Sequence, residues 1–346
     1  MLLEICIPTW NRADRLATLL ASIAAHRGDW DIGVLVSDNG SSDNTGAVIA
    51  PYCSEPWFRY QRHPANLGFD ANIASLIRSG RGEYLWLQGD DDELDFKAIP
   101  ALFATLQTKP ALVWTNIQLR GAPSVSEQRG LLDRASSPLL EMVQRFGFFG
   151  CLGGLAHFVF RREHANPAAI GAFVGSNYLH AFMLASSYAD AEVRLVHEVL
   201  TYVAPRTAEE SSAYEARWEM QRGGAWDRAV LAQAACLDAF LARHPDLSPT
   251  LFRMYEGAHY PFQLLLLKSI GCLLFAGETV PEDVLVRLAR LCDRIPHPSY
   301  RELAAATRVL ASQRPDQDAQ AIWWQQYRVA GHSDWLAGAE QRSAAA

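Results

Sequence analysis

From Leu2 to Thr115 short apolar runs alternate with stretches whose apolar residues recur at helical spacing. Leu2 to Pro8 predicts a strand closed by a proline. Leu16, Leu19, Leu20 and Ile23 then share one face of a helix. Ile32 to Ser37 predicts a second strand, followed by the turn cluster Asp38-Asn39-Gly40-Ser41-Ser42-Asp43. Thr45 to Ala50 predicts a short helix stopped by Pro51. Phe58 to Arg62 forms the third strand pattern, and Ile73, Leu76 and Ile77 mark a helix ended by Gly80 and Gly82. Tyr84 to Leu87 and Ala111 to Thr115 supply the fourth and fifth strands. This alternation predicts an α/β fold with a mostly parallel sheet covered by helices on both faces. Gly121 to Ser137 is rich in Gly, Pro and Ser and predicts a loop. From about Trp218 the pattern is helical, over Val230 to Ala242, Tyr260 to Phe275, Val284 to Ile295 and Tyr300 to Leu310, and the last residues, Gly338 to Ala346, are expected to fray. Three parts result: 1–120, 121–215 and a helical region at 216–346.

Composition narrows this picture. The chain has 346 residues, 49% hydrophobic and 20% charged, which suits a globular protein with a large buried core. A net charge of −7 argues against a broad nucleic-acid-binding face. None of the six cysteines sits at C-x-x-C spacing, which disfavours a zinc site and fits buried free thiols in a reducing cytoplasm. No basic stretch precedes an apolar run at the N-terminus, so it reads as a strand and not a signal peptide. The run from Tyr260 to Ala276 is interrupted by Gln263, Lys268 and Ser269. A membrane span needs about 20 predominantly apolar residues, so the run predicts a buried helix.

In open α/β sheets ligands bind beyond the carboxyl ends of the strands. Four predicted strand ends carry polar groups: Thr9, Asn11 and Arg12 after the first, Asp38 and Asn39 at the second, Asn66 and Gly68 after the third, and Asp90, Asp91 and Asp92 after the fourth. Arg12 can pair with a phosphate, or stay solvated while Asn11 caps the next helix. Asp38 can accept from a ribose or base, or close an Asx-turn into Gly40. Asn66-Leu67-Gly68 can be a local turn, or let backbone approach a ligand. Adjacent carboxylates about 4 Å apart repel by on the order of 1 kcal/mol even in water, which a divalent cation relieves. Oxygen ligands on a tight turn suit Mg²⁺ or Mn²⁺. The same residues also suit a helix N-terminus.

Taken in order, four stretches resemble the family-2 glycosyltransferases of the GT-A fold. They are Ile5-Cys6-Ile7-Pro8-Thr9-Trp10-Asn11-Arg12, Val36 to Thr45, Asn66 to Asn72, and Gly80 to Asp92 with its Gly-Asp-Asp-Asp run. The match is close over residues 3 to 117 and is most similar to the branch of abequosyltransferases and other O-antigen sugar transferases. The resemblance implies a Rossmann-like, mostly parallel sheet flanked by helices, with a C-terminal helical region. It implies that Pro8, Thr9, Asn11 and Arg12 line the nucleotide pocket, that Asp38 contacts the base, and that Asn66 and Gly68 contact the nucleoside. The acidic run takes the place of the family's metal site: ungapped alignment makes Asp91 the metal ligand, and a shift of one residue makes the pair Asp90 and Asp92. The ligand set adopted is Asp91 and Asp92, with Asp90 on the donor.

One departure concerns the base. Where relatives carry a Glu-Asp pair, this chain has Gly175-Ser176-Asn177-Tyr178-Leu179-His180, with no carboxylate. His180 is the substitute, since an imidazole titrates near neutral pH; it can equally pack within its helix. Asp190, His197 and Glu198 are weaker candidates. The glycines and aromatics from Phe146 to Gly154 frame an acceptor sugar or form a tight loop on the core. The implied activity is metal-dependent, inverting sugar transfer from a nucleotide-sugar donor to a hydroxyl of a saccharide or lipid-linked oligosaccharide in bacterial surface polysaccharide synthesis. The implied setting is cytoplasmic, with peripheral membrane contact or a dimer seam through the 260–276 helix. A non-catalytic nucleotide- or sugar-binding subunit of the same fold is the alternative.

Overall fold

The structure is a computed structural model. It describes residues 1–166, 170–203, 224–245, 247, 262–293, 298–312, 318, 321–323 and 325. The chain divides into two compact units, Met1–Thr207 and Ala208–Ala346.

The first unit is built on one mixed sheet. Strands β1 (Leu3–Thr9), β2 (Ile32–Asp38), β3 (Phe58–Arg62) and β4 (Tyr84–Leu87) are mutually parallel in the order β3-β2-β1-β4. β1, β2 and β4 are buried almost throughout, as strands covered on both faces must be. Between them run α1 (Ala13–His26), α2 (Thr45–Ile49) and α3 (Phe69–Ser79). Leu16, Leu19, Leu20 and Ile23 of α1 are buried in the core formed by β1 and β2. Each such side chain stabilises the fold by about 1.5–3 kcal/mol relative to exposure.

Beyond β4 the sheet departs from the mostly parallel expectation. A two-residue β5 (Glu93–Leu94) and α4 (Ile99–Leu106) lead to β6 (Leu112–Leu119). The segment 121–137, expected as a loop, contains the one-turn helix α5 (Val125–Gln128) and the start of β7 (Ser136–Pro138). Next come α6 (Leu139–Phe146), α7 (Phe148–Leu152), β8 (Phe158–Arg161), α8 (Leu179–Ser187) and the long β9 (Glu192–Val203). β8 returns between β4 and β6, antiparallel to both. β9 runs parallel to β6 with register shifts after Thr115 and Asn116, and antiparallel to β5 and β7.

The second unit is helical where described: α9 (Ala225–Arg243), α10 (Phe262–Phe275), α11 (Glu282–Asp293) and α12 (Pro298–Ser312). Leu265, Leu266, Leu267, Ile270, Leu273 and Leu274 of α10 are buried, as the buried-helix reading of that run requires. Its first residues, 260–261, and the 338–346 end lie outside the described residues. No helix among the described residues is long and apolar enough to cross a membrane.

Candidate active site

The in-register parallel ladders bring the strand ends together: Thr9 pairs with Asp38, and Asp38 with Arg62. Directly after β4, Gln88 donates its backbone N–H to Cys6 O at 3.0 Å, which places the acidic turn against the exit of β1.

Asp90 is buried in that turn. It accepts from the Thr9 hydroxyl at 2.7 Å and from Arg12 Nη1 at 3.0 Å. The same Nη1 reaches Asp91 Oδ2 at 2.8 Å. Burial raises the Asp90 carboxyl above its ordinary pKa, against the opposing pull of Arg12 and Thr9. The other two carboxylates converge elsewhere. A Cβ placed on Gly89 would lie 2.9 Å from Asp92 Oδ2 and 3.0 Å from Asp91 Oδ1. Asp92 Oδ2 also accepts from Gln88 Nε2 at 3.3 Å. Two acidic oxygens beside one backbone position suit a hard cation that takes its remaining ligands from phosphate and water. Among the described residues no three His, Cys, Asp or Glu side chains gather into a full protein cage.

The loops at these strand ends are bonded to one another. Asn11 sits in the left-handed region at φ 53, with its N–H on Ser41 Oγ at 2.9 Å and its Oδ1 accepting from Ser42 N at 2.8 Å. Asn11 therefore does not cap α1. Asp43 does, accepting from Ala13 N at 2.9 Å across the loop. Asn39 binds Thr9 O through its backbone N–H at 2.9 Å and Asn66 Oδ1 through its side chain at 2.9 Å. Its Nδ2 also reaches Gly68 O at 3.2 Å, and its Oδ1 accepts from Leu67 N at 2.9 Å. Asn66 and Gly68 are exposed, and Gly68 adopts φ 87, where a side chain would be strained. Gly40, at φ 74, meets the backbone of Ala65 so closely that a Cβ would lie 2.7 Å from its carbonyl carbon.

Asp38 differs from a freely presented base contact. It is 1% exposed, and its oxygens accept from Ser41 N at 2.8 Å and Tyr60 OH at 2.9 Å, with Arg62 Nε at 3.4 Å. The Asx-type turn and the strand neighbours hold it, so it braces the loop after β2 from within. Pro8 is half-buried and Trp10 is 36% exposed at the exit of β1.

His180 lies in the first turn of α8 and is buried. Its Nε2 is 3.0 Å from Gly153 O, and its buried Nδ1 has no partner. A proton on Nε2 donated to that carbonyl leaves Nδ1 as the basic nitrogen. Burial pushes the imidazole down to about 4. Phe69 packs edge-on against it, with centroids 6.2 Å apart. Phe146, Phe148 and Phe149 are buried, with Phe149 against Tyr178 and Phe148 against Phe182, so these aromatics pack as core. His197 is held by Arg134 O at 2.6 Å, and Asp190 and Glu198 are exposed.

Asp43 and Asp70 were absent from the sequence-derived site. Asp70, buried in the first turn of α3, accepts from Asn177 N at 2.7 Å and Leu179 N at 3.2 Å. Both act on partners far away in sequence, which no local spacing marks.

Residues 4–166 match the family described as Glycosyl transferase family 2. That segment is a glycosyl transferase family 2 domain. An abequosyltransferase of Salmonella typhimurium is 24% identical over 204 residues, which is 54% of this chain and 61% of that protein. An uncharacterized protein of Mycobacterium tuberculosis is 31% identical over 86 residues, 24% of this chain and 25% of that protein. The chain thus spans 61% and 25% of the lengths of these curated relatives. Among solved structures, S. aureus TarS 1-349 in complex with UDP-GlcNAc superimposes with a TM-score of 0.54 at 16% identity, covering 96% of this chain and 93% of that one. The complex of the same protein with UDP gives 0.51 at 17%, with the same coverage. At that identity the likeness is one of fold, and the fold of the family 2 domain is GT-A.

Proposed function

We propose that this chain is a glycosyltransferase that moves a sugar from a nucleotide-sugar donor to an acceptor hydroxyl, with Mg²⁺ or Mn²⁺ at the acidic turn. One observation carries the reading: Asp91 Oδ1 and Asp92 Oδ2 converge over Gly89, while Asp90 ties that turn to Thr9 and Arg12. A bound cation there would stabilise the negative charge that develops on a departing nucleoside diphosphate. Asp91 and Asp92 hold it, and Asp90 positions Arg12 beside the same diphosphate. Thr9, Asn11, Asn66 and Gly68 line the nucleotide, with Pro8 and Asp38 shaping its pocket. The TarS complexes with UDP-GlcNAc and UDP make UDP the first nucleotide to test.

On the acceptor side, His180 is the base. It is unprotonated at neutral pH, and with Nε2 on Gly153 O the proton goes to the buried Nδ1, which the acceptor must uncover to reach. Attack from the face opposite the leaving group inverts the anomeric centre. Residues 1–120 serve the donor, 121–215 the acceptor, and 216–346 form the helical region. The abequosyltransferase relative supports a role in surface polysaccharide synthesis, with a saccharide or lipid-linked oligosaccharide as acceptor, met at the cytoplasmic membrane face.

Calorimetry of UDP, GDP, CDP and dTDP, with and without Mn²⁺, tests the donor site. One nucleotide should bind in a metal-dependent manner, and Asp91→Ala should weaken it by more than about tenfold. Binding without transfer, unchanged in a His180→Ala variant, would identify a non-catalytic binding subunit. No binding to any of the four would sink the donor reading.

A further inference from the structure

Three consecutive residues at the start of α3 join two parts of the cleft. Gly68 O accepts from Asn39 Nδ2 at 3.2 Å, and Asn39 is itself bonded to Thr9 and Asn66. Phe69, next in the chain, sets its ring edge against His180. Asp70 then holds the segment that leads into α8. Its Oδ2 accepts from Asn177 N at 2.7 Å and from Ser176 Oγ at 3.4 Å, and its Oδ1 accepts from Leu179 N at 3.2 Å.

The segment needs such a holder. Gly175 at φ 96 and Asn177 at φ 60 both lie in the left-handed region within three residues. For a residue other than glycine that conformation is unfavourable, and it persists only where surrounding bonds fix it. Asp70 is 3% exposed, so its carboxylate has exchanged water for donors from 176–179. Hydrogen bonds to a charged group are stronger than neutral ones. Loop 66–68 on one side and segment 175–180 on the other therefore share one short, rigid connection.

We propose that Asp70 is a positioning residue that couples donor occupancy at Asn66–Gly68 to the placement of His180. Donor contact at Gly68 restrains the start of α3, Asp70 passes that restraint to the main chain of 177–179, and His180 follows one residue later. The proposal rests on the donor reading above. It gives the enzyme an order of events: the base is set once the donor is in place.

Hydrogen exchange of segment 174–181 in the full chain tests it, with Mn²⁺ and each of UDP, GDP, CDP and dTDP. The nucleotide that binds wild type should slow exchange there by about tenfold, the scale of one charge-assisted hydrogen bond. Asp70→Asn should bind that nucleotide within about twofold of wild type, because the donor-lining residues are intact, yet show no such slowing. A merely structural role for Asp70 would raise basal exchange and leave the nucleotide-induced change in place. If Asp70→Asn does not fold, Asp70→Glu keeps the charge, displaces it by one carbon, and is judged by the same outcomes. Equal slowing in variant and wild type, or binding with no slowing in wild type, overturns the coupling and leaves the donor reading standing. Absence of binding to all four nucleotides overturns both.

Discussion

At the ends of β1, β2 and β3, polar groups of one loop are tied to another: Thr9 and Arg12 to Asp90, Asn11 to Ser41 and Ser42, Asn39 to Asn66 and Gly68. Around β6, β8 and α8 the finish is different. His157 stacks on Trp114 with centroids 4.4 Å apart, and Arg129 lies 5.2 Å from the same indole. Trp114 Nε1, His157 Nδ1 and His180 Nδ1 are buried without a partner. The contrast separates two ways of building a site. Loops whose polar groups are already paired need little rearrangement on binding, so what a ligand adds is restraint at the points it touches. A stacked aromatic region holds its shape by packing and leaves buried ring nitrogens without a partner.

The largest test of this contrast lies under the saturated side. Glu4 is fully buried in β1, accepting from Arg59 Nη1 at 2.8 Å and from the backbone N–H groups of Arg81 and Gly82. Glu4→Ala removes the centre of that network and should destabilise the fold by about 3–5 kcal/mol in urea titration. A loss under 1 kcal/mol would mean that the network is replaceable by water.

The stacked side should show its character through pH. Burial first, and the charge of Arg129 second, push His157 down to about 3, and burial pushes His180 down to about 4. Both lie below the unfolded value near 6.5, so the unfolded chain binds these protons first. Stability is therefore full above about pH 6.5 and is lost as pH falls, down to about 4 for His180 and about 3 for His157. At pH 5 each ring costs about 2 kcal/mol relative to pH 7. His157→Phe keeps a ring on Trp114 and should remove about one proton's share of that slope. Identical slopes for variant and wild type would show that His157 does not titrate as placed.

The smallest effect is expected where one loop caps another. Asp43→Ala strips the acceptor from Ala13 N and Thr45 N and should cost about 1 kcal/mol, read as a lowered melting temperature. No shift would indicate that water caps α1 equally well.

The same contrast explains what the sequence reveals. Strands β1 to β4 and their exits are legible because each apolar run ends in turn residues whose chemistry is local. The acidic turn is legible as a cluster, but the division of labour within it depends on Gly89, where the Asp91 and Asp92 oxygens converge. β7 is three residues, and its pairing to β9 defines it, so composition alone reads Gly121 to Ser137 as loop. β9 carries apolar alternation at Val193 and Leu195, but the irregular register near Thr115 and Asn116 interrupts it. Asp43 and Asp70 act over 30 and 107 residues of separation, beyond any window of periodicity.

The position of β8 bears on how the chain reaches this state. Tyr84, Leu85, Trp86 and Leu87 are buried, and residues 84–86 pair on one side with residues 159–161. During synthesis β4 waits as an open, apolar sheet edge until more than 70 further residues have emerged, and such edges invite pairing with other chains. Strands β1 to β4 are thus not a detachable cassette. A fragment ending near residue 120 would carry all four of these strands and still leave β4 without one of its two neighbours.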